Sequence, residues 1–138
     1  MKILRQTNPN ISFALIPWFV PSSEQTILQI GAELYQKMID IPDDTLVLTA
    51  MEGEYCKAII IAYSEVNEQG KVQVYLWQAR KLKDFKYPRL VFAKAVEWAK
   101  YKQATRLILG SEDKRVRRMY KRKYGFSPMG GNYMERAV

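Results

Sequence analysis

The chain has 138 residues, 48% of them hydrophobic and 26% charged, with one cysteine and no histidine. That length makes one domain, 1–138, with a core large enough to stand without a disulfide or a metal staple. The missing histidine excludes Ser-His and Cys-His nucleophile pairs and removes the usual zinc ligand, so no metal is expected. Cys56 lies in the apolar run Tyr55–Ile61 and reads as a small buried hydrophobe in a strand.

The formal charge of +8 is unevenly placed. Residues 1–79 hold five Lys/Arg against nine Asp/Glu, and residues 80–123 hold sixteen against four. One segment therefore supplies the positive field. Such a field draws phosphate, whether on a nucleotide cofactor, a nucleic acid or a phosphate-rich surface, and it also draws acidic protein faces.

In chain order, Met1–Arg5 and then Ile11–Val20 imitate a signal peptide. Pro17 interrupts the apolar run, and Val20-Pro-Ser-Ser23 offers no small-x-small cleavage site. The run is also far short of the ~20 apolar residues a bilayer requires. The expected compartment is reducing and cytoplasmic, in the producing or host cell, with no membrane partner. Ile11–Val20 itself has two readings: an irregular strand, or an apolar patch that docks on another chain.

A first helix comes next. Ser22-Ser-Glu-Gln25 has capping-box spacing, and Ile27, Ile30, Gly31, Leu34, Tyr35 and Met38 form one apolar stripe that Pro42 ends. Strands Leu46–Met51 and Tyr55–Ser64 flank the short turn Glu52-Gly-Glu54. In the next strand, Val72 to Ala79, Val72, Val74 and Leu76 face one way and Gln73, Tyr75 and Trp77 the other. Ile59–Ile61 is apolar on both faces, which marks a central strand.

Pro88 suits the first turn of a second helix, which runs to about Gln103. Its apolar residues, Leu90 to Ala99, cover most of its circumference, so it packs deep against a sheet. Then come strand Thr105–Gly110, a basic helix Asp113–Tyr124, a Gly125-Phe126 corner and a closing strand through Tyr133 to Val138. A meander with a crossover helix after it implies an α/β domain with a single mixed, mostly antiparallel sheet and helices on both faces.

From Ser22 onward this order resembles the Gcn5-related N-acetyltransferase (GNAT) family. The residues that carry the resemblance are Ala95-Val-Glu-Trp-Ala-Lys100, Arg106-Leu-Ile-Leu109, Arg118-Met-Tyr-Lys-Arg-Lys-Tyr-Gly-Phe126 and Gly130-Gly-Asn-Tyr133. The C-terminal pattern is similar to small phage-encoded GNAT-like proteins. The resemblance implies a sheet that splays after its fourth strand around acetyl-CoA, with a glycine-containing loop wrapping the pyrophosphate at a helix N-terminus. It also implies backbone donors for an oxyanion and a tyrosine before Gly-Phe that protonates the leaving thiolate.

The loop here is Arg80-Lys-Leu-Lys-Asp-Phe-Lys-Tyr-Pro88, without glycine. With Trp98 setting the register, the family glycines fall on Lys86 and Pro88; with Leu90-Val91, on Phe85 and Tyr87. What remains for phosphates is charge: Arg80, Lys81, Lys83, Lys86 and Arg89. The plainer reading is a solvated loop.

The family tyrosine position, four residues before the glycine, is Lys121 here. Tyr120 sits five before, in a stripe with Val116, Met119 and Tyr124, and reads as core. Only an extra residue in this helix restores it as the acid. No carboxylate is evidently a base: Glu52 and Glu54 lie in one turn, and Glu65 and Glu68 flank another.

On the basic helix, like charges repel at i, i+4 (Lys114/Arg118, Arg117/Lys121, Arg118/Arg122), a cost that suggests a partner. Arg115, Arg117, Arg118, Lys121 and Arg122 are the candidate partner-binding residues. The partner is a protein or a phosphate-rich molecule, with nucleic acid among the options. The leading expectation is thus a degenerate GNAT-like binding or structural module, with a virion-associated role among its options, needing no cofactor. The alternative is an active acetyl-CoA-dependent N-acetyltransferase with a lysine-rich pyrophosphate loop.

Overall fold

The computed structural model describes all 138 residues. In chain order the elements are β1 (Lys2–Arg5), α1 (Ile11–Ala14), α2 (Ile27–Asp40), β2 (Thr45–Glu52), β3 (Tyr55–Val66), β4 (Val72–Lys81), α3 (Pro88–Tyr101), β5 (Arg106–Gly110), α4 (Lys114–Tyr124), β6 (Ser127–Gly130) and β7 (Tyr133–Ala137). Seven strands form one sheet in the order β1-β2-β3-β4-β5-β7-β6. Every pairing is antiparallel except β4 with β5, the pair that α3 connects. This is the mixed α/β sheet that the element order predicts. No helix is long and apolar enough to cross a membrane.

The strands β2 and β3 are apolar on both faces because each face has its own core. On one, Leu46, Leu48, Ile60, Val74, Leu76 and Leu107 pack against Val91, Phe92, Ala95 and Trp98 of α3, with Tyr120 and Tyr124 of α4 leaning on the cluster. On the other, Val47, Ile59 and Ile61 pack against Ile30, Leu34 and Met38 of α2, together with Leu15 and Phe19. Ile11–Val20 is therefore not a strand, though it leaves Phe13 and Val20 exposed. It folds into α1 and a 3-10 turn, Ile16–Trp18, which send Leu15 and Phe19 under α2.

The first helix starts later than the Ser22 spacing suggests. Its N-cap is Thr26, whose hydroxyl accepts the Gln29 N–H while the Gln29 side chain accepts the Thr26 N–H. Ser22 instead closes a local turn, its Oγ accepting from the N–H groups of Glu24 and Gln25. The Gln25 side chain is engaged elsewhere, accepting from Trp77 Nε1 at 3.4 Å, so it does not complete a box with Ser22. The closing strand proves to be a hairpin. Gly130 and Gly131, both at positive φ, turn β6 back along β7.

Candidate functional site

The parallel ladder between β4 and β5 runs only from Gln73–Arg106 to Leu76–Leu109. Beyond it β5 stops at Gly110, while β4 continues to Lys81 beside β3. The two strands part there. At the same point the β3–β4 register shifts: Ala62 pairs Leu76 but Ile61 pairs Gln78, so Trp77 is an extra residue, a β-bulge. A one-residue insertion reverses the facing of every later residue in the strand. The alternation read from the sequence holds up to Trp77, and Gln78 then joins the Tyr75 and Trp77 face.

A cleft of about 740 Å³ opens at the splay. β4 lines it with Tyr75 to Ala79, the β5–α4 junction with Leu109 to Asp113, and α4 with Val116 and Tyr120. Residues 20–25 form a strap across it. Val20 pairs with the Gln78 side chain through both backbone groups, at 2.9 and 3.3 Å, and the Ser23 N–H donates to Glu112 at 3.1 Å. The strap thus spans from the β4 wall to the β5–α4 wall.

Tyr120 belongs to both the core and the cleft. Its ring meets Phe126 edge-on with centroids 5.5 Å apart and lies 5.4 Å from Tyr124. Burial, with a smaller effect from Tyr124, pushes its phenol up to about 12. The last helical turn lies directly after Tyr120. The Tyr120 carbonyl accepts the N–H of Gly125, which is left-handed at φ 74°, and that of Phe126 at 3.3 Å. These bonds reach five and six residues back, more than the four of an α-helix. The last turn is widened.

The loop after β4 sits apart from the cleft. Arg80, Lys81, Lys83, Lys86 and Arg89 are exposed, and none of them lines it. Phe85 is buried in the α3-side core, and Asp84 pairs with Lys57 at 3.2 Å, so the loop is anchored by side chains. Arg80 donates to the Trp18 carbonyl at 3.4 Å. Arg89 stands near Tyr124, partly offsetting the upward push of burial on that phenol.

The other wall is acidic and aromatic. Glu24, Glu33 and Glu65 lie on it with one lining cation, Lys37, while Glu112 and Asp113 line the β5–α4 side. Tyr63 stacks on Tyr75 at 5.4 Å and meets Trp77 edge-on at 5.9 Å, and Tyr75 lies 6.3 Å from Tyr133. Burial first, then the charges of Glu65 and Glu33, push Tyr63 up to about 12. Burial and neighbouring Tyr133 push Tyr75 higher still. Sequence reasoning missed this wall. Glu65 reads as a turn residue but ends β3 on the cleft. The only visible signal is the shared face of Tyr75 and Trp77 on β4.

On α4 the candidate partner residues are not equivalent. Arg117 is half-buried and donates to the Ser111 carbonyl, and Arg115 pairs with the helix N-cap Asp113 at 3.3 Å. Arg118, Lys121 and Arg122 remain exposed.

No protein-family model and no curated protein sequence matches the chain. Solved structures do. A GNAT-family protein from Desulfovibrio desulfuricans is similar at a TM-score of 0.77 with 12% identity, covering 99% of this chain and 98% of that one. An aminoglycoside 6'-N-acetyltransferase from Acinetobacter haemolyticus is similar at 0.74 with 15% identity, covering 95% and 94%. The PaiA N-acetyltransferase from Thermoplasma acidophilum, in complex with coenzyme A, is similar at 0.69 with 16% identity over the whole of both chains. Likeness at such identities carries architecture, and together with the splayed β4–β5 pair it establishes that this chain has the GNAT fold.

Proposed function

We propose that this protein is an N-acyltransferase that moves an acyl group from an acyl-CoA thioester to an amine held in the cleft. The observation that carries the reading is Tyr120 on the cleft wall where β4 and β5 part.

An acyl-CoA supplies an activated thioester carbonyl. The chain supplies the rest. With its phenol at about 12, Tyr120 is protonated at neutral pH and can give a proton to a departing thiolate. The bulge at Trp77 takes one residue out of the ladder, and a backbone N–H freed beside the splay can steady negative charge on a carbonyl oxygen. The carboxylates of the opposite wall attract an ammonium and provide proton acceptors for it.

Charge is all that the chain offers the cofactor's phosphates, and it comes from an exposed loop beside the cleft rather than from the cleft lining. Pro88 opens α3 without an N–H, and no glycine lets backbone approach the pyrophosphate. The grip falls to the side chains of Arg80, Lys81, Lys83, Lys86 and Arg89. The coenzyme A held by the Thermoplasma protein supports the same ligand here.

The test is a calorimetric titration with acetyl-CoA and with CoA, on the wild type and on Lys83→Ala/Lys86→Ala, and then turnover with an amine panel. Binding on the order of micromolar, weakened in the double variant, is expected. No binding at about millimolar cofactor retires the enzyme. It would favour the second reading, a docking module that works through exposed Arg118, Lys121 and Arg122.

A further inference from the structure

The cleft already contains an ammonium, and it is the protein's own. Lys37 Nζ, on α2, stands 4.1 Å from the centroid of the Tyr63 ring and 6.0 Å from that of Trp77. Lys37 makes no ion pair in the structure, so the aromatic face is its partner. Tyr63 is itself backed by Tyr75 and edged by Trp77, a walled setting that strengthens a cation on its face by holding water away. Glu33 and Glu65 are close enough for their charges to act on Tyr63. They deepen the same negative corner.

The rest of the molecule sharpens the point. The chain carries +8, yet its cleft is lined by five carboxylates, of which Asp113 pairs with Arg115 while Glu33 and Glu65 stand at the Tyr63 corner with Lys37 as the one lining cation. A corner that is aromatic, anionic and occupied by a flexible lysine is built for a positive group. Lys37 sits on a four-carbon stem and is able to swing to water when a better-placed ammonium arrives.

We propose that the Tyr63–Trp77 corner is a cation subsite for the distal ammonium of a diamine or longer amine, and that Lys37 holds its place until that ammonium displaces it. The fate of the other amino group rests on the acyltransferase reading; the binding does not. Lys37 is then a selectivity residue. Being tethered, it competes at high effective concentration and sets a threshold that weakly held cations do not pass.

The experiment titrates the full chain by calorimetry with 1,4-diaminobutane and with n-butylamine, on the wild type, Lys37→Met and Glu65→Gln. The wild type is expected to hold the diamine about tenfold tighter than the monoamine. Lys37→Met should tighten the diamine by roughly five- to tenfold, since it removes both a competitor and a like charge. Glu65→Gln should weaken it several-fold. Adding Tyr63→Leu to Lys37→Met should cancel the gain; if that pair fails to fold, the single substitutions still decide the matter, because Lys37 and Glu65 lie outside the core.

Equal affinity for the two amines, or a Lys37→Met variant that binds the diamine no tighter than wild type, overturns the subsite. Turnover separates this from the parent reading. Selective diamine binding without acyl transfer from acetyl-CoA leaves the subsite standing and removes the transferase. Transfer to both amines with equal KM does the reverse.

Discussion

Gln78 serves Val20 as a strand would, its amide oxygen accepting the Val20 N–H at 2.9 Å and its amide nitrogen donating to the Val20 carbonyl at 3.3 Å. The bulge at Trp77 turns Gln78 to that side. Gln78→Leu leaves both backbone groups unpaired in a partly buried place, a cost of about 1–3 kcal/mol. Residues 20–25 should then exchange amide hydrogens faster than in the wild type. Chemical denaturation and hydrogen exchange check the two parts, and unchanged protection of the strap would show that Gln78 is not its anchor.

Tyr120→Phe keeps the ring against Phe126 and Tyr124 but removes the proton donor. On the acyltransferase reading, kcat should fall roughly a hundredfold, with the denaturation midpoint nearly unmoved. Steady-state kinetics beside a melting curve checks this. A variant as active as wild type takes the acid role from Tyr120.

The raised phenols also bear on alkaline stability. Tyr63 and Tyr120 are pushed from an ordinary 10 to about 12 by burial. Between those values the unfolded chain has released protons that the folded chain retains. Stability is therefore full below pH 10 and falls as pH rises toward 12. Denaturation measured across that window should show the decline, with a shallower slope in Tyr120→Phe.

Gly110 makes room for the aromatic wall. A Cβ there would lie 2.9 Å from Tyr133 Cε1 and 3.1 Å from Tyr75 Oη. Gly110→Ala should cost about 1–3 kcal/mol by overpacking. Tyr133 is half-exposed and able to swing away, so Tyr133→Ala in the same chain should recover most of the loss. A double-mutant cycle by thermal denaturation measures the coupling; additive effects would mean that the two residues do not press on each other.

Much of the scaffold was legible because it depends on local rules. The alternation of Val72 to Trp77, the stripe of α2, Pro88 at the start of α3 and the Gly125 corner each come from period or backbone preference. The misses have non-local causes. Ser22 has capping-box spacing to Gln25, but the Gln25 side chain accepts from Trp77, a residue far along the chain, and the helix is capped by Thr26. Tyr120 could not be placed by counting residues, since the widened turn is invisible to a count. The acidic wall gathers Glu24, Glu33 and Glu65 from a strap, a helix and a strand end, and only the finished sheet brings them together.

The two faces of the sheet hold unequal cores, nineteen buried residues on the α3 side and eight on the α2 side. Local opening costs less where fewer apolar contacts must be broken. The amides of α2 should therefore lose protection before those of α3, and Glu33 and Lys37 ride on the layer that gives first. On the acyltransferase reading, a bulky amine would enter by displacing that layer, while the wall bearing Tyr120 stays fixed to the larger core.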